Sequence, residues 1–392
     1  MKLHSSNGGK LKLELQRDPI AMLGDITIDR LLLKMKQVQA SDLHVKVGSP
    51  PILRIASRLR QIEAQPLFAE DTTQLLTPMV PEFLRSKLAQ QGGVDFSYHD
   101  TQGDRFRCSV FHAGGGLHAA IRRVNPQIPN FTELHLPAVY EQFTASAHDG
   151  LIIICGVTGS GKSSTLAAMI DHINQHRQCN IITIEDPVEY AFKPKMSFIS
   201  QREIGLDVPD FQLALRAAVR QDPDVIMIGE MRDRQTLLAG IQAAETGHLV
   251  YVTLHTSDTM QAFTRILEFF PTEEHPFIRS SLANSLRAVA AQRLVPSIRP
   301  EVQRVPATEV LLNTNIVADR IREGRDEDLP AIIAGGAEVG MHDFTSSLLR
   351  LVKEGWIDLK VAERYAPNVE VLRSRVRGID VKSDVLVSKA KR

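Results

Sequence analysis

The chain has 392 residues, 46 Lys+Arg against 46 Asp+Glu, and 43% apolar residues; this is too long for one typical domain and points to two or three. The balanced charge gives no reason to expect a nucleic-acid partner, and the ordinary composition argues against wholesale disorder. Three scattered cysteines, Cys108, Cys155 and Cys179, without CxxC spacing, fit buried thiols in a reducing compartment instead of a disulfide framework.

Residues 1–24 read as a polar tail without a signal-peptide core. No apolar run approaches the ~20 residues of a membrane span, so a soluble, cytoplasmic chain is expected. Asp25 is a candidate cap for a helix carrying Ile28, Leu31, Leu32 and Met35 on one face. Strands are expected at 43–47 and 52–55, around the turn Gly48-Ser49-Pro50-Pro51, and a helical stretch within 68–90. RFRCSVF (105–111) alternates strictly, with Phe106, Cys108 and Val110 on one face and Arg105, Arg107 and Ser109 on the other. Gly114-Gly115-Gly116 turns it back into 117–124 as a hairpin. Residues 25–124 therefore read as a small α+β domain with an antiparallel sheet, and 125–147, opening with NPQIP, as a linker.

From residue 148 the pattern changes. Continuous apolar strands at 151–155, 181–184, 225–228 and 249–254 lack polar alternation, as parallel strands covered on both faces do. Helically spaced segments lie between them: Leu166, Ile170 and Ile173; Phe211, Leu215 and Ala218; Leu237, Ile241 and Ala244. This is the pattern of an α/β nucleotide-binding core over 148–370. Residues 273–365 read as mostly helical with one strand near 309–312. The last segment, 371–392, reads as a mobile basic tail, either a solvated terminus or a membrane or partner contact.

GVTGSGKS (156–163) matches GxxxxGK[ST] and sits where that loop must, after a buried strand and before a helix. Glycines let the backbone curl its N–H groups onto phosphate oxygens, and the helix N-terminus adds its positive end. Gly156, Thr158, Gly159, Ser160, Gly161, Lys162, Ser163 and Ser164 are the candidate phosphate cradle. Lys162 supplies a charge for the β- and γ-phosphates, and Ser163 a hydroxyl for Mg²⁺. The strand at 181–184 runs into Glu185-Asp186-Pro187-Val188-Glu189, that at 225–228 into Gly229-Glu230, and that at 249–254 into His255. In a parallel sheet these ends share one edge. Lys162, Glu189, Glu230 and His255 should therefore converge around one MgATP: a cation, a metal and a carboxylate to orient or deprotonate water. The usual Asp of IMIGE is Gly229, which leaves Glu230 to reach the metal through bound water.

Four segments, GVTGSGKSS (156–164), IEDPVEY (184–190), DPDVIMIGEMRD (222–233) and ETGHLVYVTLHT (245–256), resemble the boxes of the secretion and type IV pilus ATPase superfamily. QREIGLD, AQRLVP and GMHDF are similar to its PilT/PilU retraction branch. The resemblance implies a RecA-like P-loop ATPase domain behind a PAS-like N-terminal domain. It implies Glu189 as the catalytic glutamate, Glu230 as the Walker B glutamate near Mg²⁺, and His248 and His255 as the His-box pair. Arg105, Arg107 and Arg122 match arginines that approach ATP, some from a neighbouring subunit. It further implies a homohexamer at the inner-membrane pilus base that turns a PilC-like platform protein, alongside paralogous pilus ATPases. The four-cysteine zinc module usual in assembly and type II secretion ATPases is missing. The segment NIVADRIREG (315–324) stands nearer to PilU than to the AIRNLIRE-type motif of PilT. An assembly or type II secretion motor, and a catalytically weak ring scaffold, remain the alternatives. Metal binding by His172 and His176, spaced i, i+4, is disfavoured because the helix lacks the glutamate of HExxH. Cys155 and Trp356 are read as packing residues.

Overall fold

The computed structural model describes residues 26–55, 58–124 and 127–378, and the chain divides into two compact units at residues 126 and 127. The first unit holds helices α1 (Ile28–Gln37), α2 (Ala69–Leu76) and α3 (Glu82–Gln91) on an antiparallel sheet of β1 (Asp42–Val45), β2 (Ile52–Ile55), β3 (Arg58–Gln61), β4 (Gly93–His99), β5 (Arg105–Ala113) and β6 (Gly116–Arg123). The strand order is β3-β2-β1-β6-β5-β4. The expected alternation of β5 holds for its apolar face: Phe106, Cys108 and Val110 are fully buried, packed with Leu32 and Met35 of α1. Thr27 caps α1 by accepting from the Arg30 N–H; the candidate cap Asp25 and the tail 1–24 lie outside the described residues. Strands β3 and β4 were not expected from the sequence.

The second unit is built on a seven-stranded sheet of order β13-β12-β7-β11-β10-β8-β9. Its strands are β7 (Gly150–Cys155), β8 (Asn180–Glu185), β9 (Phe198–Glu203), β10 (Val225–Ile228), β11 (Leu249–Leu254), β12 (Leu286–Pro296) and β13 (Arg304–Leu312). All neighbours run parallel except β12 and β13. Period-two alternation sends Leu151, Ile153 and Cys155 of β7 into one core and Ile152 and Ile154 into another on the opposite face. That double burial is why the strand reads as an unbroken apolar run. Helices α4 (Ala138–Ser146), α5 (Lys162–His176), α6 (Phe211–Ala218), α7 (Arg234–Glu245), α8 (Thr259–Glu268) and α9 (His275–Ser285) accompany the sheet; α10 (Asn315–Glu323), α11 (Leu329–Gly335), α12 (Phe344–Lys353), α13 (Leu359–Tyr365) and α14 (Val369–Val376) follow it.

Three expectations need correcting. Residues 273–365 are not nearly all helical: β12 and β13 form a long antiparallel pair, and β12 also pairs with β7. The alanine-rich run LRAVAAQRLVP hides a strand, because small residues there are buried on both faces. Part of the expected linker 125–147 is α4, whose Val139, Tyr140 and Phe143 are buried; residues 125 and 126 lie outside the described residues. The expected tail 371–392 begins inside α14, held by buried Leu372 and by Arg375, whose guanidinium lies 3.1 Å from the Asp343 carboxylate; residues 379–392 lie outside the described residues. Among the described residues, no helix is long and apolar enough to cross a membrane.

Candidate active site

Between β7 and α5 the chain turns through Gly159 and Gly161 at φ of 79° and 93°, a region that side-chain-bearing residues rarely enter. Gly161 is the N-cap of α5, and no side chain caps that end. The first-turn N–H groups thus have no intrahelical partner and present the positive end of the helix dipole. Lys162 is buried, and its Nζ donates to the carbonyls of Gly156 at 2.8 Å and Val157 at 3.3 Å. Burial holds its pKa below the ordinary lysine value, opposed chiefly by the negative charge of Glu230. A buried ammonium held by neutral carbonyls, beside an uncapped helix N-terminus, fits a polyphosphate.

The other strand ends arrive at the same place. The Ser163 hydroxyl donates to Glu189 Oε1 at 3.0 Å, and Ser164 Oγ lies 2.7 Å from the Tyr190 hydroxyl. Arg232 Nε donates to Glu230 Oε2 at 2.7 Å, while His255 Nε2 stands 3.4 Å from Glu230 Oε1. The other face of that imidazole, Nδ1, is 3.5 Å from Thr158 Oγ1. Burial, and then the charge of Lys162, holds the His255 pKa below its usual value, opposed by the negative charge of Glu230. All of these groups except Arg232 line one cavity of about 390 Å³, with Arg304 and the apolar side chains of Phe192, Phe211 and Leu294.

Gly229 stands where a Walker B aspartate is usual. A Cβ there would lie 3.3 Å from the Ile184 carbonyl and 3.4 Å from Glu185 Cα, so the tight approach of β8 and β10 favours glycine. Among the described residues, no group of three or more His, Cys, Asp or Glu is placed to hold a metal alone. One hydroxyl and one carboxylate fit Mg²⁺, which takes few protein ligands and completes its shell with phosphate oxygens and water. The candidates for that set are Ser163 and Glu230.

His248 is not brought to this edge. It precedes the first residue of β11 and His255 follows the last, so six residues at ~3.3 Å each separate them along the strand. Its Nδ1 lies 3.0 Å from the Ala243 carbonyl. Arg105, Arg107 and Arg122 belong to the first unit. Arg105 Nε donates to Ser97 Oγ at 3.2 Å, Arg122 Nε to Asp42 Oδ1 at 2.8 Å, and Arg107 pairs across the sheet with Arg122. The rings of His172 and His176 stack at 4.3 Å, and Cys155 is fully buried. Trp356 stacks beneath the Arg299 guanidinium at 3.5 Å.

Sequence reasoning missed three polar residues at this edge. Arg232 lies two positions after Glu230 and grips it. Tyr190 ends the segment IEDPVEY and reaches Ser164. Gln292 is a buried amide in β12 that touches the phosphate loop from behind.

Residues 25–330 match the family model described as type II/IV secretion system protein. The type IV pilus ATPase PilU of Pseudomonas aeruginosa is 36% identical over 349 residues, covering 89% of this chain and 91% of the relative. An uncharacterised protein of Escherichia coli, YggR, is 42% identical over 315 residues, covering 80% and 95%. A crystal structure of the pilus retraction motor PilT with bound ADP superposes with a TM-score of 0.82 at 38% identity, covering 89% of this chain and 99% of that one. The chain belongs to the type II/IV secretion system protein family.

Proposed function

We propose that the chain is an ATP-hydrolysing motor that powers type IV pilus retraction. The observation that carries the reading is the meeting of Lys162, Ser163, Glu189, Glu230 and His255, from four separate strand ends, in one cavity. The similarity to PilU and to the retraction motor PilT supplies the direction of work.

In this reading the loop amides and Lys162 neutralise the transferred phosphoryl group, whose transition state needs charge compensation more than covalent help. Glu189 accepts the proton of the attacking water, and the imidazole of His255 hydrogen-bonds on the γ-phosphate side. Ser163 and Glu230 would hold Mg²⁺, Glu230 through a bound water. The metal, when bound, neutralises phosphate charge and orients the leaving group. The Ser163 hydroxyl donates to Glu189 in this structure, which leaves the lone pairs of its oxygen for a metal. The same reading has a homohexamer, with Arg105, Arg107 and Arg122 of the N-terminal unit completing sites. It docks from the cytoplasm on an inner-membrane platform protein and works beside paralogous pilus ATPases.

Deleting the gene tests the direction: twitching is lost while surface pili persist. Loss of the pili themselves would identify an assembly motor instead. Equal, negligible ATP turnover by the purified chain and its Glu189→Gln variant would leave only a scaffold role.

A further inference from the structure

Strand β12 lies directly beside β7. Gln292 is 1% exposed there, preceded by the fully buried Ala288, Val289, Ala290 and Ala291. Its Nε2 donates to the Ser160 carbonyl at 2.8 Å, and its Oε1 accepts from the Thr165 hydroxyl at 3.0 Å. A carbonyl on one side and a hydroxyl donor on the other fix which way the amide faces. The loop is pressed onto the same residue at both ends. A Cβ on Gly156 would lie 2.7 Å from the Gln292 carbonyl oxygen, and one on Gly161 3.1 Å from Gln292 Nε2. Gln292 itself does not line the cavity, whereas Gly161 does.

A loop that turns its N–H groups toward phosphate must turn carbonyls the other way, here into a buried space where an unpaired carbonyl is costly. In a planar trans peptide the C=O and the following N–H point in opposite directions. Fixing the Ser160 carbonyl against β12 therefore aims the Gly161 N–H away from β12. We infer that Gln292 is a positioning residue of the phosphate loop: it takes the outward Ser160 carbonyl and, braced by Thr165, holds the loop curled for a nucleotide's phosphates. The inference rests on the ATP-site reading above.

The test uses the purified full-length chain, calorimetric titration with MgADP, and steady-state ATP hydrolysis. Gln292→Met keeps the side chain's length and removes both hydrogen bonds. It should weaken ADP binding about tenfold, the scale of a hydrogen-bond partner lost from a buried group. The KM for ATP should rise in parallel, with kcat moving less than about threefold, as for lost uniform binding. Thr165→Val, nearly isosteric, should weaken ADP binding in the same direction by about threefold, and the double variant should be no worse than Gln292→Met alone, since the two residues form one chain of contacts. A fall in melting temperature with unchanged ADP affinity and KM marks a merely structural residue and overturns the inference. If Gln292→Met does not fold, Thr165→Val decides, and unchanged ADP affinity there overturns it equally. Lys162→Ala separates the two layers. Binding that is lost in Lys162→Ala but intact in Gln292→Met removes the inference alone. Binding insensitive to both removes the site and the inference together.

Discussion

Replacing Glu189 by Gln is the sharpest perturbation of the proposed chemistry. Glu189 is exposed at the cavity mouth and accepts the Ser163 hydroxyl at 3.0 Å through Oε1. The amide oxygen of Gln keeps that contact, so the empty site should hold its geometry. Nucleotide binding should not suffer, because one negative charge leaves a site that must take a triphosphate. Two like charges ~4 Å apart in a water-like medium cost about 1 kcal/mol, so ATP affinity should be unchanged or up to about fivefold tighter. The proton acceptor is lost outright, which costs at least ~10²-fold in kcat, or about 2.7 kcal/mol of barrier. Coupled-enzyme ATPase assays and nucleotide titration on the same preparation read the two quantities. A kcat within about fivefold of the wild type, or a raised KM with kcat intact, would refute the reasoning by making Glu189 a binding residue or a bystander.

Lys162→Ala removes a buried cation and leaves the Gly156 and Val157 carbonyls without their donor. A lost charge-assisted contact of about 1.5–3 kcal/mol corresponds to roughly 10- to 150-fold in ADP affinity, measured by calorimetry. His342 is half-buried and lies 2.8 Å from Thr308 Oγ1, and desolvation holds its pKa below the usual 6.5. The unfolded chain therefore binds the proton more readily, so stability falls as pH drops below 6.5 toward the folded value. His342→Gln should flatten the pH dependence of the melting temperature in that window, by at most the one-proton slope of about 1.4 kcal/mol per pH unit; an unchanged slope would contradict a desolvated neutral imidazole. Arg375→Ala breaks the partly buried contact with Asp343 and should expose α14 to limited proteolysis while changing ATP turnover little. Equal cleavage rates would return that helix to the status of a loose tail.

The sequence announces β10 and β11 because strands buried on both faces need apolar residues at every position, which helices and exposed strands do not. It is silent on β9, whose FISQRE run is an outer strand of mixed polarity, and misleading on β12, where alanines suit helix and buried strand alike. Within the site, the residues that follow parallel strands were readable because topology alone brings their ends together. Gln292 and Arg232 were not. The first depends on a strand crossing more than a hundred residues away in sequence, and the second on a side-chain rotamer that folds back onto Glu230. His248 misled because two histidines seven residues apart on one strand look like a pair, yet the strand carries them to opposite ends.

The most direct test is a structure of the purified chain with Mg²⁺ and a non-hydrolysable ATP analogue. With the analogue bound, Lys162 Nζ should leave the Gly156 and Val157 carbonyls for phosphate oxygens. The Ser163 hydroxyl oxygen should face the metal, and Glu189 and Glu230 should stand within one bridging water of the terminal phosphate. A bound analogue with both glutamates farther away than that, or with Lys162 still folded onto its own loop, would contradict the proposed chemistry.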